Sequence, residues 1–427
     1  MKIPFLQNNK EDIKNFFFRF IQIAFRQGVL FGFTLISAKL LFPDEFARIS
    51  YLMALTIFFS TIAETGFSFS VSKFVAEDAL EYKRGNTILA TSFLCLLVFF
   101  LVTSVGFYTV SKLTNSSGQG VQLVLLSSLL FLIPAVSVFD GLFRGLRKFR
   151  SLTYINLISG TLACLPFVFL IQRFQGVGVI AAYVVLYLFC FLCSTAWYVY
   201  FYSEDNGGYV WNGAIAKKIS LYSLQLGVAS LGYFLFSRFS ILVLGHFSFL
   251  KETALYELIL KFEMIFLLPS FIIGHVLAPK MTVLYRQDTA AFLQNFKKGY
   301  LYSCLYSIVT SAVYFLLLYG VFHFFYAEYL IDSFFLILGI SAFTFFIKCY
   351  SAVLDFSFII ASGYGKVTAR VYPIVGFANV ILCYVFAERL GPVGILSLVL
   401  LSHVLMIAIL HPFVYLKFKK EVAHAKA

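Results

Sequence analysis

Charge is what this sequence lacks. Only 12% of its 427 residues are Asp, Glu, Lys or Arg, about half the share a water-soluble domain carries. Long polar breaks are missing too, since none of the gaps between apolar runs exceeds about 20 residues. That excludes a soluble catalytic domain, and it argues against a membrane polymerase or glycosyltransferase, which keeps its reacting groups in a sizeable loop. No paired-carboxylate or metal-ligand motif occurs in the gaps. Strand-like alternation is absent, so a transmembrane β-barrel is excluded. The seven cysteines (Cys95, Cys164, Cys190, Cys193, Cys304, Cys349, Cys383) all fall in apolar runs, where disulfides and zinc sites lack their usual partners. Cys190 and Cys193 are therefore assigned no metal or redox role, and no cofactor is implied.

What is present is hydrophobic length. Hydrophobic residues make up 61% of the chain, and the mean hydropathy is +0.90. Backbone groups in hydrocarbon must bond within their own segment, so these runs are helices. The expectation is an all-α membrane protein of about 12 spans, near 16–41, 47–72, 87–111, 121–143, 152–172, 177–202, 219–246, 253–279, 299–325, 330–361, 369–387 and 393–416. The first run is of full span length and is expected to stay in the membrane.

The net charge of +13 does not indicate nucleic acid, because the cations form a one-sided collar. With the N-terminus inside, 23 of the 33 Lys and Arg fall on the inner side. The outer breaks hold only Lys39, Arg48, Lys112, Arg173, Lys251 and Arg389. The positive-inside rule then predicts that both termini are cytoplasmic.

The longest break, Ser203 to Gly213, is rich in turn residues and divides the chain into lobes 1–202 and 218–427, joined by a linker over 203–217. A weak internal repeat supports two halves of like orientation. Phe42-Pro-Asp-Glu-Phe-Ala-Arg-Ile-Ser-Tyr51 is similar to Phe247-Ser-Phe-Leu-Lys-Glu-Thr-Ala-Leu-Tyr256. Arg173-Phe-Gln-Gly-Val-Gly-Val-Ile180 is similar to Arg389-Leu-Gly-Pro-Val-Gly-Ile-Leu396.

Several segments carry a family resemblance in their order and spacing: Phe42 to Tyr51, Ala63-Glu-Thr-Gly-Phe67, Gly141-Leu-Phe-Arg-Gly-Leu-Arg-Lys-Phe149, Ala254-Leu-Tyr-Glu-Leu258, Leu277-Ala-Pro-Lys-Met281 and Gly363-Tyr-Gly-Lys366. Phe46-Ala-Arg48 departs from the Phe-Gly frequent there. The chain resembles the polysaccharide transport family of the multidrug/oligosaccharidyl-lipid/polysaccharide exporter superfamily, whose best-known members are O-antigen flippases. The resemblance implies two pseudo-symmetric six-helix bundles around a central cavity with alternating access. It implies as substrate a polyprenyl-pyrophosphate-linked oligosaccharide, moved from the inner to the outer leaflet of the bacterial cytoplasmic membrane. Two alternatives share the superfamily: a cation-coupled exporter of drugs or other small molecules, and a peptidoglycan-precursor flippase.

Nine charged residues lie at span depth, where insertion costs roughly 2.5–3.5 kcal/mol each. They are Arg26, Arg238, Lys261 and Lys348 against Glu64, Asp140, Glu257, Glu263 and Asp355. So many argue for a wet interior. Ser341, Thr344, Lys348, Ser351, Asp355 and Ser362 fall within about 80° of one another on a helix, and Arg19, Gln22, Arg26 and Ser37 form a second stripe.

For the substrate the resemblance implies, the four cations are candidate ligands of the pyrophosphate. Glu64, Glu257, Glu263 and Asp355 are candidate cavity carboxylates or sites for a coupling cation, proton or sodium. Against these roles stand local ion pairs: Glu257 with Lys261, Lys348 with Asp355, and Asp140 with Arg144. Arg26 and Arg238 have no opposite charge within a turn of their own helices. The span histidines His246, His275, His323, His403 and His411 are expected to serve packing.

Overall fold

The structure, a computed structural model, describes residues 9–78, 85–113, 120–204, 208–360 and 362–426. The basic pair Lys83 and Arg84 and the middle of the expected linker, 205–207, lie outside the described residues. Among those described, every regular element is helical.

The first half holds α1 (Asn9–Leu40), α2 (Pro43–Glu64), α3 (Phe67–Asp78), α4 (Gly85–Leu113), α5 (Gly120–Gly145) and α6 (Phe149–Tyr202). Pro43 starts α2 with its fixed φ, and Asp44 and Glu45 complement the dipole of the first turn. The second half holds α7 (Gly213–Ser237), α8 (Phe239–His246), α9 (Leu250–Gln287), α10 (Thr289–Phe325), α11 (Phe334–Leu354) and α12 (Gly365–Lys426). A π-helix over Asp355–Ile360 continues α11.

Nine of the described helices are long and apolar enough to cross a membrane. Two of these cross twice. The 54-residue α6 turns at Gln175, whose φ of 51° is left-handed. Its two legs run back along each other, since Ser151 meets Tyr202 at 2.8 Å and Ser159 meets Cys190 at 3.1 Å. The 62-residue α12 turns at Gly391, φ 62°, and Ser402 donates to Asn379 at 2.9 Å across that hairpin. With α9, this gives the twelve crossings the hydropathy predicts.

Two expected spans are not continuous helices. The span predicted over 47–72 breaks after Glu64, where Thr65 (φ 34°) and Gly66 (φ 77°) both take left-handed backbone. A Cβ on Gly66 would lie 2.8 Å from Leu226 Cβ, so glycine also permits the close approach of α7. The span predicted over 219–246 breaks at Arg238, between α7 and α8.

The chain forms two compact units, one through Leu231 and one from Gly232. The first is built around Phe67, Val71, Leu96, Val138, Phe143 and Ile219. Within it α5 lies directly on α3: a Cβ on Gly141 would sit 2.3 Å from the Ser68 carbonyl oxygen, and one on Gly145 2.8 Å from that of Ser72. Small residues four apart let the two backbones meet, which is how helices associate where water supplies no driving force. The second unit packs Phe292, Phe296, Phe358, Leu410 and Phe418, with the Phe292 and Phe418 rings 5.0 Å apart.

Candidate functional site

Each unit buries its own polar cluster. In the first, the stripe on α1 faces α5 and α6. Arg19 reaches the Asp140 carboxylate with two N–H groups, each at 3.3 Å, and Gln22 Nε2 donates to the same group at 3.2 Å. Arg144, one turn along α5, holds Asp140 at 3.5 Å and also donates to Ser68. The expected pairing of Asp140 with Arg144 is therefore present, with Arg19 as a second partner.

Arg26, two turns beyond Arg19, places its guanidinium over the Tyr187 ring, 5.6 Å from the centroid. Beside it Asn156, Gly160 and Cys190 enclose a void of about 10 Å³, room for one water. Glu64 is half-buried at the end of α2, and its carboxylate takes the Ser68 amide at the start of α3. It thereby satisfies a donor that the break would leave orphaned.

In the second unit, Lys261 Nζ meets Glu257 Oε1 at 3.1 Å, the pair expected from one-turn spacing. The expected pairing of Lys348 with Asp355 is not formed. Lys348 instead donates to Glu263 on α9 at 2.6 Å, with both side chains buried. Asp355 opens the π-helix and accepts from His411 Nε2 on α12 at 3.1 Å. Two turns separate Lys348 from Asp355, whereas facing helices bring Glu263 and His411 within reach. Single-turn π segments recur at functional positions. The polar stripe of α11 is buried as a set, since Ser341, Thr344, Lys348, Ser351 and Asp355 are all inside the unit.

Arg238 sits in the gap between α7 and α8, half-buried, with one N–H directed at the Met264 sulfur. Among the described residues neither Arg26 nor Arg238 has a carboxylate within ion-pair distance. Lys261 and Lys348 do, so in this conformation only the two arginines keep their charge uncompensated at contact range. Sequence reasoning read His411 as a packing histidine and missed its pairing with Asp355. Its one signal was that Pro412 follows a span histidine, which does not separate packing from ion pairing. The His275 side chain lies outside what the structure describes.

The architecture of twelve crossings in two units is that of MATE transporters. An inward-facing multidrug resistance MATE family transporter of the MOP superfamily superposes with a TM-score of 0.71 at 14% identity, covering 96% of this chain and 99% of that one. A eukaryotic MATE transporter superposes with a TM-score of 0.66 at 12% identity, over 97% and 98% of the two chains. At such identities the likeness shows the fold. Sequence assigns the family: the chain belongs to the polysaccharide biosynthesis protein family, whose model matches residues 13–285. Curated proteins offer no sequence match.

Proposed function

We propose that this protein is a flippase that carries a polyprenyl-pyrophosphate-linked oligosaccharide from the inner to the outer leaflet of the bacterial cytoplasmic membrane by alternating access. Two lobes, 1–202 and 218–427, rock about the linker 203–217, and both termini stay cytoplasmic with the basic collar. The chain makes and breaks no covalent bond in this reading. The observation that carries it is membership of a polysaccharide family together with two arginines in predicted spans, Arg26 and Arg238, that have no carboxylate within ion-pair distance among the described residues.

A pyrophosphate has to cross a layer in which it is insoluble, while its polyprenyl tail stays in lipid. Arg26 and Arg238 offer forked N–H groups to that head, and Lys261 and Lys348 join when Glu257 and Glu263 release them. Such a release is a natural point for coupling. Glu64, Glu257, Glu263 and Asp355 are the groups proposed to exchange a proton or sodium during the cycle. The energy cost of separating a buried pair supplies the two-state element that transport needs.

The test is surface glycan in a strain whose only copy carries Arg26→Glu and Arg238→Glu. Display is expected to fall below detection at normal protein level, with the lipid-linked precursor accumulating on the inner leaflet. Normal display would remove the arginines from the mechanism. The drug-exporter reading is favoured by the fold shared with a multidrug transporter. Under it, expression protects cells from toxic cations and deletion leaves surface glycan unchanged.

A further inference from the structure

Against 26 tyrosines and 54 phenylalanines the chain has only two tryptophans, Trp197 and Trp211. Both fall where the two halves join. Trp197 lies in the last two turns of α6, and Trp211 in the irregular stretch between α6 and α7. Tryptophan and tyrosine collect at the membrane–water boundary, where one end of the ring system is apolar and the other wet.

The stretch is held to the first unit along its length. Asn86, at the start of α4, donates through Nδ2 to the Ser203 carbonyl at 2.7 Å and accepts from the Tyr198 hydroxyl at 2.7 Å. Thr87 Oγ1 donates to the Gly208 carbonyl at 3.0 Å, and the Asn212 amide donates to Thr91 Oγ1 at 3.3 Å. Asn212 then caps α7 through the Ala214 and Ile215 amides, both at 3.0 Å, and Ile219 enters the core of the first unit. These bonds satisfy backbone groups that an apolar environment would otherwise leave orphaned.

With its backbone turned to α4, the stretch presents side chains outward. Tyr209, Val210 and Trp211 follow one another and are all exposed, Trp211 at 52%. This apolar surface continues one that faces lipid. Leu188, Leu192 and Val199 are exposed on α6 and fall within about 40° of one another at 100° per residue. Ser203 is one turn beyond Val199, and its hydroxyl meets that of Tyr209 at 2.9 Å. Charge limits how deep the stretch can go. Glu204 at one end and Lys217 and Lys218 at the other are exposed, and each would be costly in hydrocarbon.

We propose that residues 208–211 dock on the surface of the bilayer, the cytoplasmic one by the placement of the basic collar, with Tyr209 and Trp211 at the level of the lipid headgroups. Lipid is the partner because the surface runs on from the lipid-facing side of α6. The linker about which the lobes are proposed to rock is thereby tied to α4 and to the membrane, which makes it a set pivot. The docking needs no assumption about the cargo, so it stands or falls apart from the flippase assignment.

The test is tryptophan emission from the full chain reconstituted in phosphatidylcholine vesicles. In Trp197→Phe only Trp211 emits. The difference between the parent and Trp211→Phe gives the same signal with Trp197 in place, so the test survives a folding defect in the first variant. Nitroxide-labelled phosphatidylcholine quenches from inside the bilayer, and iodide on both sides quenches from water. A nitroxide near the glycerol is expected to remove about twice as much Trp211 emission as one near the chain end, with iodide about threefold weaker than on free tryptophan. Iodide quenching equal to that of free tryptophan would mean a loop in water. Stronger quenching by the deep label, or none by either agent, would place Trp211 in hydrocarbon or under protein such as a second copy of the chain. Each of these results overturns the proposal.

Discussion

Gln175 and Gly391 occupy corresponding positions in the two halves. They stand 216 residues apart, the offset of the repeat Arg173 to Ile180 and Arg389 to Leu396, and each turns one helical hairpin in left-handed backbone, at φ 51° and 62°. The correspondence extends three residues on. A Cβ on Gly178 would lie 2.0 Å from the Leu170 carbonyl oxygen, and one on Gly394 2.2 Å from Leu390 Cβ. What the repeat records is thus the geometry of two tight turns between crossings, with glycine where the second leg starts against the first.

Replacing these glycines tests the turn directly. Gly178→Ala meets backbone, which cannot step aside, and is expected to abolish stable folding in detergent, read as loss of the monodisperse peak. Gly391 has open space around its Cβ position, so only its backbone is at issue. Gly391→Val and Gly391→Asn should each destabilise by about 1–3 kcal/mol, because φ 62° with ψ −169° is a backbone region essentially confined to glycine. Thermal unfolding of the three variants separates clash from strain.

The crossings, both hairpins and the one-turn pairs Glu257 with Lys261 and Asp140 with Arg144 were legible in the sequence, because hydropathy and helical spacing are local properties. Contacts between helices were not. Lys348 finds Glu263 85 positions away, Asp355 finds His411 56 away, and Arg19 finds Asp140 121 away. Spacing along α11 offered Asp355 as the partner of Lys348 only because it ignores what faces the helix. The break after Glu64 had a weak signal in Gly66, while Arg238 lies in an unbroken apolar run that gives no sign of its helix ending.

The buried pair on α9 and α11 makes a double-variant prediction. Lys348→Met leaves the Glu263 carboxylate buried without a counter-charge and should cost about 3–5 kcal/mol. Adding Glu263→Leu removes the charge as well and should recover most of that loss, raising the unfolding temperature of the double variant close to the parent's. An equal loss in single and double variants would mean that Lys348 contributes packing alone.

Just before the start of α12, partial burial and the hydrogen bond to Glu421 push the Tyr364 hydroxyl up to about 12. Its folded value lies above the ordinary tyrosine value of about 10, so its contribution is complete below the unfolded value and is lost as pH rises through the folded one. The drop in unfolding temperature between pH 10 and 12 should therefore be smaller in Tyr364→Phe than in the parent. Parallel curves for the two proteins would show that the bond to Glu421 does not stabilise the fold.

Asp140 on α5 and Arg26 on α1 belong to the polar cluster of the first unit, and they should separate stability from transport. Asp140→Asn strips the counter-charge from Arg19 and Arg144, whose guanidinium groups are only partly buried, with side-chain exposures of 26% and 18%. The cost should fall near the low end of the range for buried pairs, about 3 kcal/mol. Arg26→Gln breaks no ion pair; it gives up the contact with the Tyr187 ring, about 0.5–2 kcal/mol. Under the flippase proposal the order reverses for function. Arg26→Gln should cut surface glycan sharply at normal protein level, whereas any loss in Asp140→Asn should track the amount of folded protein. Quantifying glycan per folded transporter in the two strains decides the matter, and a proportional loss in both would make Arg26 a packing residue.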